Sequence, residues 1–168
     1  MKKNDFIFAG ILLLIGLVAL LGFKLFESRQ ATGNVYAKIF YQDELILMID
    51  LESNEYILYE SSVKDQVYTD RSAEGIFYVP GAIMTEAVMA ELWETDTFAS
   101  TNGIIGIKLL VTDGKIEVDY QVSPRDLCEL QPPTGSSLQP IVCLPNQLVV
   151  SVVTNMQSDE FIPDAILE

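Results

Sequence analysis

Residues Phe6 to Phe23 read FIFAGILLLIGLVALLGF, eighteen positions without a charge or a strongly polar side chain. A helix packed on a soluble core keeps a polar face toward water, and this run has none. At about 1.5 Å per residue it covers roughly 27 Å, and Leu25 and Phe26 bring it to the hydrocarbon thickness of a bilayer. The run predicts a transmembrane segment over 6–26. Lys2 and Lys3 precede it, so residues 1–5 are expected as a cytoplasmic tail with the N-terminus inside. A cleaved signal peptide is the rival reading. The run is longer than the usual h-region of about 7–15 residues, and Lys24-Leu25-Phe26-Glu27 offers no small-x-small cleavage site. An uncleaved signal anchor is therefore expected, with the polar residues 27–34 (ESRQATGN) as a tether to a domain outside the cytoplasm.

Setting the anchor aside leaves about 140 residues, the size of one domain with one core. The formal net charge is −14, and four of the ten basic residues (Lys2, Lys3, Lys24, Arg29) lie ahead of that domain. Such a surface repels phosphate backbones and anionic headgroups, which disfavours nucleic acid as a partner. There is no histidine. Histidine-ligated zinc, Ser-His-Asp catalysis and Cys-His catalysis are excluded with it.

Within residues 35–155 the pattern is mainly that of strands. Val35–Tyr41 and Glu44–Asp50 are β-rich runs parted by Gln42-Asp43, a hairpin pattern, and Glu55–Glu60 follows a Ser53-Asn54 turn. Ile104–Thr112 leads through Asp113-Gly114 into Lys115–Val122, where Ile116, Val118, Tyr120 and Val122 alternate with polar residues. Asp-Gly suits a type I′ turn, whose two central residues need positive φ. After an irregular loop over Pro124–Pro140, Ile141–Thr154 returns to strand character with Leu148, Val150 and Val152 on one face. Between these halves, Gly75–Val79 is a short strand candidate. Ile83, Ala87, Val88 and Leu92, flanked by Met84 and Trp93, share one helical face and predict an amphipathic helix over Ile83–Glu94. Residues 156–168 read as an acidic C-terminal tail. The expected architecture is a compact antiparallel β barrel or sandwich with one inserted amphipathic helix, behind the transmembrane helix.

Two side chains bear covalent chemistry, Cys128 and Cys143. Their separation is ordinary for a structural staple and unlike a CxxC redox motif. An even number in an oxidising compartment predicts a disulfide, which would close a loop worth about 3 kcal/mol in the chain-entropy model. Asp43-Glu44 and Asp50/Glu52/Glu55 are acidic clusters without the alternating Asp/Asn and Gly spacing of a calcium loop. No metal, cofactor or catalytic residue is expected from the pattern.

The stretch from Asp113 to Val153 resembles the NusG domain II family of small bacterial membrane-anchored proteins. Ile141-Val142-Cys143-Leu144-Pro145-Asn146 matches in full the block that leads into that family's last strand. Asp126-Leu127-Cys128 matches the end of its Cys-x-x-x-x-Cys segment, and Ser123 stands where the first cysteine is often found. Against the compact family pattern, Ser61–Ser100 reads as an insertion. The resemblance implies an N-terminal transmembrane helix followed by a β domain, and no established activity. Family members are often encoded near flavin-attachment, quinone-related or membrane-transport genes, which implies redox or transport company.

The function expected is that of a non-catalytic accessory or interaction module with a membrane-protein partner. Its partner surface is expected on the 61–100 segment, around Met84, Met89 and Trp93, because a scaffold gains function most easily in its insertions. A small-ligand or metal-binding module, and a thiol-disulfide or electron-transfer protein using Cys128 and Cys143, are the alternatives.

Overall fold

The computed structural model describes residues 12–22, 34–70 and 73–154. The chain divides into two units, residues 1–33 and 34–168. Of the first, residues 12–22 form a helix, α1, whose side chains are all exposed. Among the described residues no helix is long and apolar enough to cross a membrane. The remainder of the expected 6–26 span, the tail at 1–5, most of the tether and the acidic tail at 156–168 lie outside the described residues.

The second unit is mainly β, its described residues forming nine strands in two antiparallel sheets. Strands β1 (Val35–Tyr41), β2 (Glu44–Asp50) and β3 (Tyr56–Leu58) form a meander, and β8 (Ile141–Cys143) and β9 (Leu148–Thr154) complete its sheet in the order β3-β2-β1-β9-β8. The second sheet runs β4-β5-β6-β7, from β4 (Tyr68–Thr69) and β5 (Ile76–Val79) to β6 (Ile107–Thr112) and β7 (Lys115–Tyr120). Neither sheet closes on itself, so the barrel alternative is not formed. One core joins them: Ile39, Ile49 and Val150 from the first sheet belong to the same buried cluster as Phe77, Leu109 and Val118 from the second.

The period-2 pattern is kept where it was clearest. Ile116 and Val118 are buried between exposed or half-buried neighbours, and Leu148, Val150 and Val152 all face the core. Asp113 (φ 52°) and Gly114 (φ 70°) adopt the positive angles of the expected turn, and Gln42 (φ 51°) and Asp43 (φ 66°) do the same without a glycine.

The helix expected over Ile83–Glu94 is not formed as one element. Asn146 takes up the amide of Ile83 through its side chain at 3.4 Å and the amide of Ala82 through its carbonyl at 3.1 Å. Thr85 is extended (φ −138°, ψ 158°), so helical winding begins only with a single 3₁₀ turn at Glu86–Val88. Then follow α2 (Ala90–Thr95) and α3 (Thr97–Asn102). Asp96 separates them with an extended backbone and caps α3 by accepting from the Ala99 amide at 2.9 Å. That is N-cap chemistry, in which a carboxylate satisfies an otherwise unpaired helical N–H.

Candidate functional site

Two clusters of polar side chains are built into the unit, one beside the disulfide and one on the second sheet. The first surrounds the cysteines. Cys128 and Cys143 form a disulfide, S–S 2.00 Å with 5.3 Å between Cα atoms, as the sequence led us to expect. Both residues are buried. Beside them Asn146, wholly buried, donates to the Gln121 side-chain oxygen at 3.0 Å and to the Val122 carbonyl at 3.4 Å. Gln121 in turn donates to Asp126 at 3.3 Å, and Asp126 also accepts from the Ser123 amide at 3.1 Å. Gly81 leaves room for this knot, since a Cβ there would stand 2.7 Å from the Asn146 side-chain oxygen.

In the Ile141–Asn146 block, alternation decides which residues are structural. Ile141, Cys143 and Asn146 point inward, whereas Val142 and Leu144 are exposed. Gln131 bridges the outer edge of β8, accepting from the Val142 amide and donating to its carbonyl, both at 3.0 Å. This side-chain amide takes the place of a neighbouring strand and blunts the sheet edge.

The second cluster lies on the other sheet, beside a cleft of about 490 Å³ lined by Tyr78, Asp96, Phe98 and Lys108 among others. Tyr78 donates to Asp96 at 2.7 Å, and Lys108 lies 3.0 Å from Asp96 and 3.1 Å from Asp119. Burial and the neighbouring Asp96 carboxylate push the Tyr78 hydroxyl far above its ordinary value. Burial works against the charge on Lys108, but Asp96 and Asp119 outweigh it and hold the ammonium above the usual lysine range. For Asp96 burial likewise opposes charge. The Ala99 amide, Tyr78 and Lys108 overcome it and hold the carboxyl low. Tyr78 and Lys108 are thus shifted upward and Asp96 downward, each in the direction its hydrogen-bonded neighbours favour.

The acidic clusters singled out in the sequence do not converge. Asp50 is buried, with one oxygen accepting from the Glu52 and Ser53 amides at 2.8 and 3.0 Å and the other from Asn34 at 3.0 Å. Its role is that of a turn former. Among the described residues no group of three or more acidic or cysteine side chains could hold a metal ion.

The surface expected around Met84, Met89 and Trp93 is corrected by burial. Met89 is 0 % and Met84 8 % exposed, and both belong to the core. Trp93 is half-buried against that core, its indole N–H donating to the Ile104 carbonyl at 3.0 Å. Met84, Met89 and Leu92 pack this segment into the core, while Ile83 and Ala87 stay exposed. Exposed apolar side chains elsewhere in the domain include Leu127 (55 %), Leu130 (74 %), Leu138 (58 %), Val142 (40 %) and Leu144 (76 %). Leu127 and Leu144 adjoin the two bonded cysteines, and Leu130 adjoins the Gln131 that bridges Val142.

The NusG domain II family model matches residues 63–156. That match takes in most of the 61–100 segment and all of β4 to β9, and it leaves out β1 to β3. The chain belongs to the NusG domain II family. No curated protein and no solved structure matches it.

Proposed function

We propose that this NusG domain II protein is a membrane-anchored contact module outside the cytoplasm, without a catalytic centre of its own and accessory to a membrane-bound redox or transport assembly. The observation that carries this reading is the Cys128–Cys143 disulfide, because such bonds persist in oxidising compartments and are rare in the cytosol. The exposed apolar side chains of α1 support an anchor, since Leu12 to Leu21 would otherwise face water. The hydrogen bond of Tyr78 to Asp96 and the ion pair of Lys108 with Asp96 favour a brace over a reaction centre. Thiol-disulfide exchange is disfavoured by the burial of both cysteines, because a disulfide must be reached by an attacking thiolate.

Affinity purification of the intact chain from gently solubilised membranes tests the reading. A membrane protein that co-purifies reproducibly, at a fixed ratio, is the expected result. A chain that elutes alone, or a purified domain that turns over a substrate, would refute it.

A further inference from the structure

We propose that residues 155–168 fold back as a strap over the outer face of the first sheet, where Phe161 and Ile162 seat on the cluster of Tyr36, Met48 and Ile57. While the strap is seated, that face is closed to a partner.

The register of β1 with β9 defines this face. Ala37, Ile39 and Tyr41 pair with Val152, Val150 and Leu148, and all six lie in the core. The alternate pairs, Tyr36 with Val153, Lys38 with Ser151 and Phe40 with Val149, therefore stand on the opposite side. An antiparallel sheet with one face in the core ordinarily turns polar residues to water on the other. Here only Lys38 and Ser151 are neither apolar nor aromatic. Met48, opposite Lys38 on β2 and Ile57 on β3, completes a second buried cluster with Tyr36 and Ile57. Tyr36 is 1 % and Met48 0 % exposed. Yet the described hydrophobic side chains packed with this cluster are Tyr59, directly after β3, and Val153, both of the same sheet. Side chains standing side by side on one sheet shield each other's flanks and not their tips, so burial this deep calls for a covering element.

Residues 155–168 meet that need in place, reach and chemistry. They belong to the same compact unit as the sheet. Thr154 pairs with Val35, one position beyond the Val153–Tyr36 pair, so the chain leaves β9 beside the cluster. From β9 to β3 is three strand spacings, about 14 Å. The seven residues from Thr154 to Phe161 can span about 23 Å. The segment, NMQSDEFIPDAILE, carries Phe161, Ile162, Ile166 and Leu167 for the apolar face and Asp159, Glu160 and Asp164 to answer Lys38.

The test places a photo-reactive phenylalanine analogue at position 161 of the full chain in its native membrane. The expected product is a link within one chain, to a peptide of β1, β2 or β3 that carries Tyr36, Met48 or Ile57. Products with lipid, with a second copy, with another protein or with residues 1–33, or no protein product at all, would overturn the strap. Peroxide oxidation of the purified full chain, followed methionine by methionine, gives a second reading, with Met89 of the main core as the control for folding. Met48 should oxidise as slowly as Met89. In Phe161→Asp/Ile162→Asp, or in a chain stopped after Thr154, Met48 should oxidise about ten-fold faster while Met89 stays protected. A Met48 rate indifferent to both changes would overturn the assignment. If Met89 is exposed as well, the link from position 161 in the otherwise native chain decides.

Discussion

The side chain of Asn146, in the turn before β9, donates to the side-chain oxygen of Gln121, just after β7, at 3.0 Å in a buried setting. Because β9 and β7 belong to different sheets, this bond fastens one sheet to the other beside the disulfide. The Pro145-Asn146 pair is thus more than a chain reversal.

Replacing Asn146 by alanine leaves the buried Gln121 oxygen without its amide donor. Asn146→Ala is expected to cost about 1–3 kcal/mol, the penalty of leaving a buried polar group unpaired. Urea unfolding of the domain measures it, and a loss below about 0.5 kcal/mol would contradict the buried bond.

The disulfide closes a loop from Cys128 to Cys143. Cys128→Ser with Cys143→Ser should lower stability by about 3 kcal/mol. Unreduced, denatured protein should show no thiol reactive toward a chromogenic disulfide reagent, and two should appear after reduction.

Met89 is core, so Met89→Ala should destabilise the domain by about 2–5 kcal/mol, as large-to-small substitutions do in packed interiors. Thr101→Ala, on the exposed face of α3, should change the unfolding midpoint little.

Stability should depend on pH through the Asp96 brace. The folded Asp96 carboxyl is held low, so its contribution is complete above the unfolded aspartate value of about 3.9 and is lost as pH falls through the lower folded value. Lys108 and Tyr78 have folded values raised above their ordinary ones, so their contributions are complete below the unfolded values of about 10 and are lost as pH rises through the folded ones. Asp96→Asn keeps a capping oxygen for Ala99 and removes the charge. In urea midpoints taken from pH 5 down to about 2, the wild-type decline should be steeper than that of the variant.

Period-2 alternation made the strands legible, because burial on one face of a sheet leaves its mark on every second residue, as at Ile116 and Val118. Asp113-Gly114 was equally readable from its turn chemistry. The Ile83–Glu94 helix misled for a physical reason. Met84 and Leu92 reach the core and Val88 packs against it, but Ile83 and Ala87 stay exposed, and Asn146, sixty-three positions away from Ile83, holds the backbone in a non-helical path. No local pattern records a long-range hydrogen bond.

The central claim, a domain anchored at the membrane and facing out of the cytoplasm, is tested most directly by protease added to intact, wall-stripped cells. The account predicts that the domain is digested while cytoplasmic markers survive, and that the undigested chain in membranes still carries residues 6–26. A domain that resists until the membrane is permeabilised, or a mature chain that begins near Glu27, would contradict it.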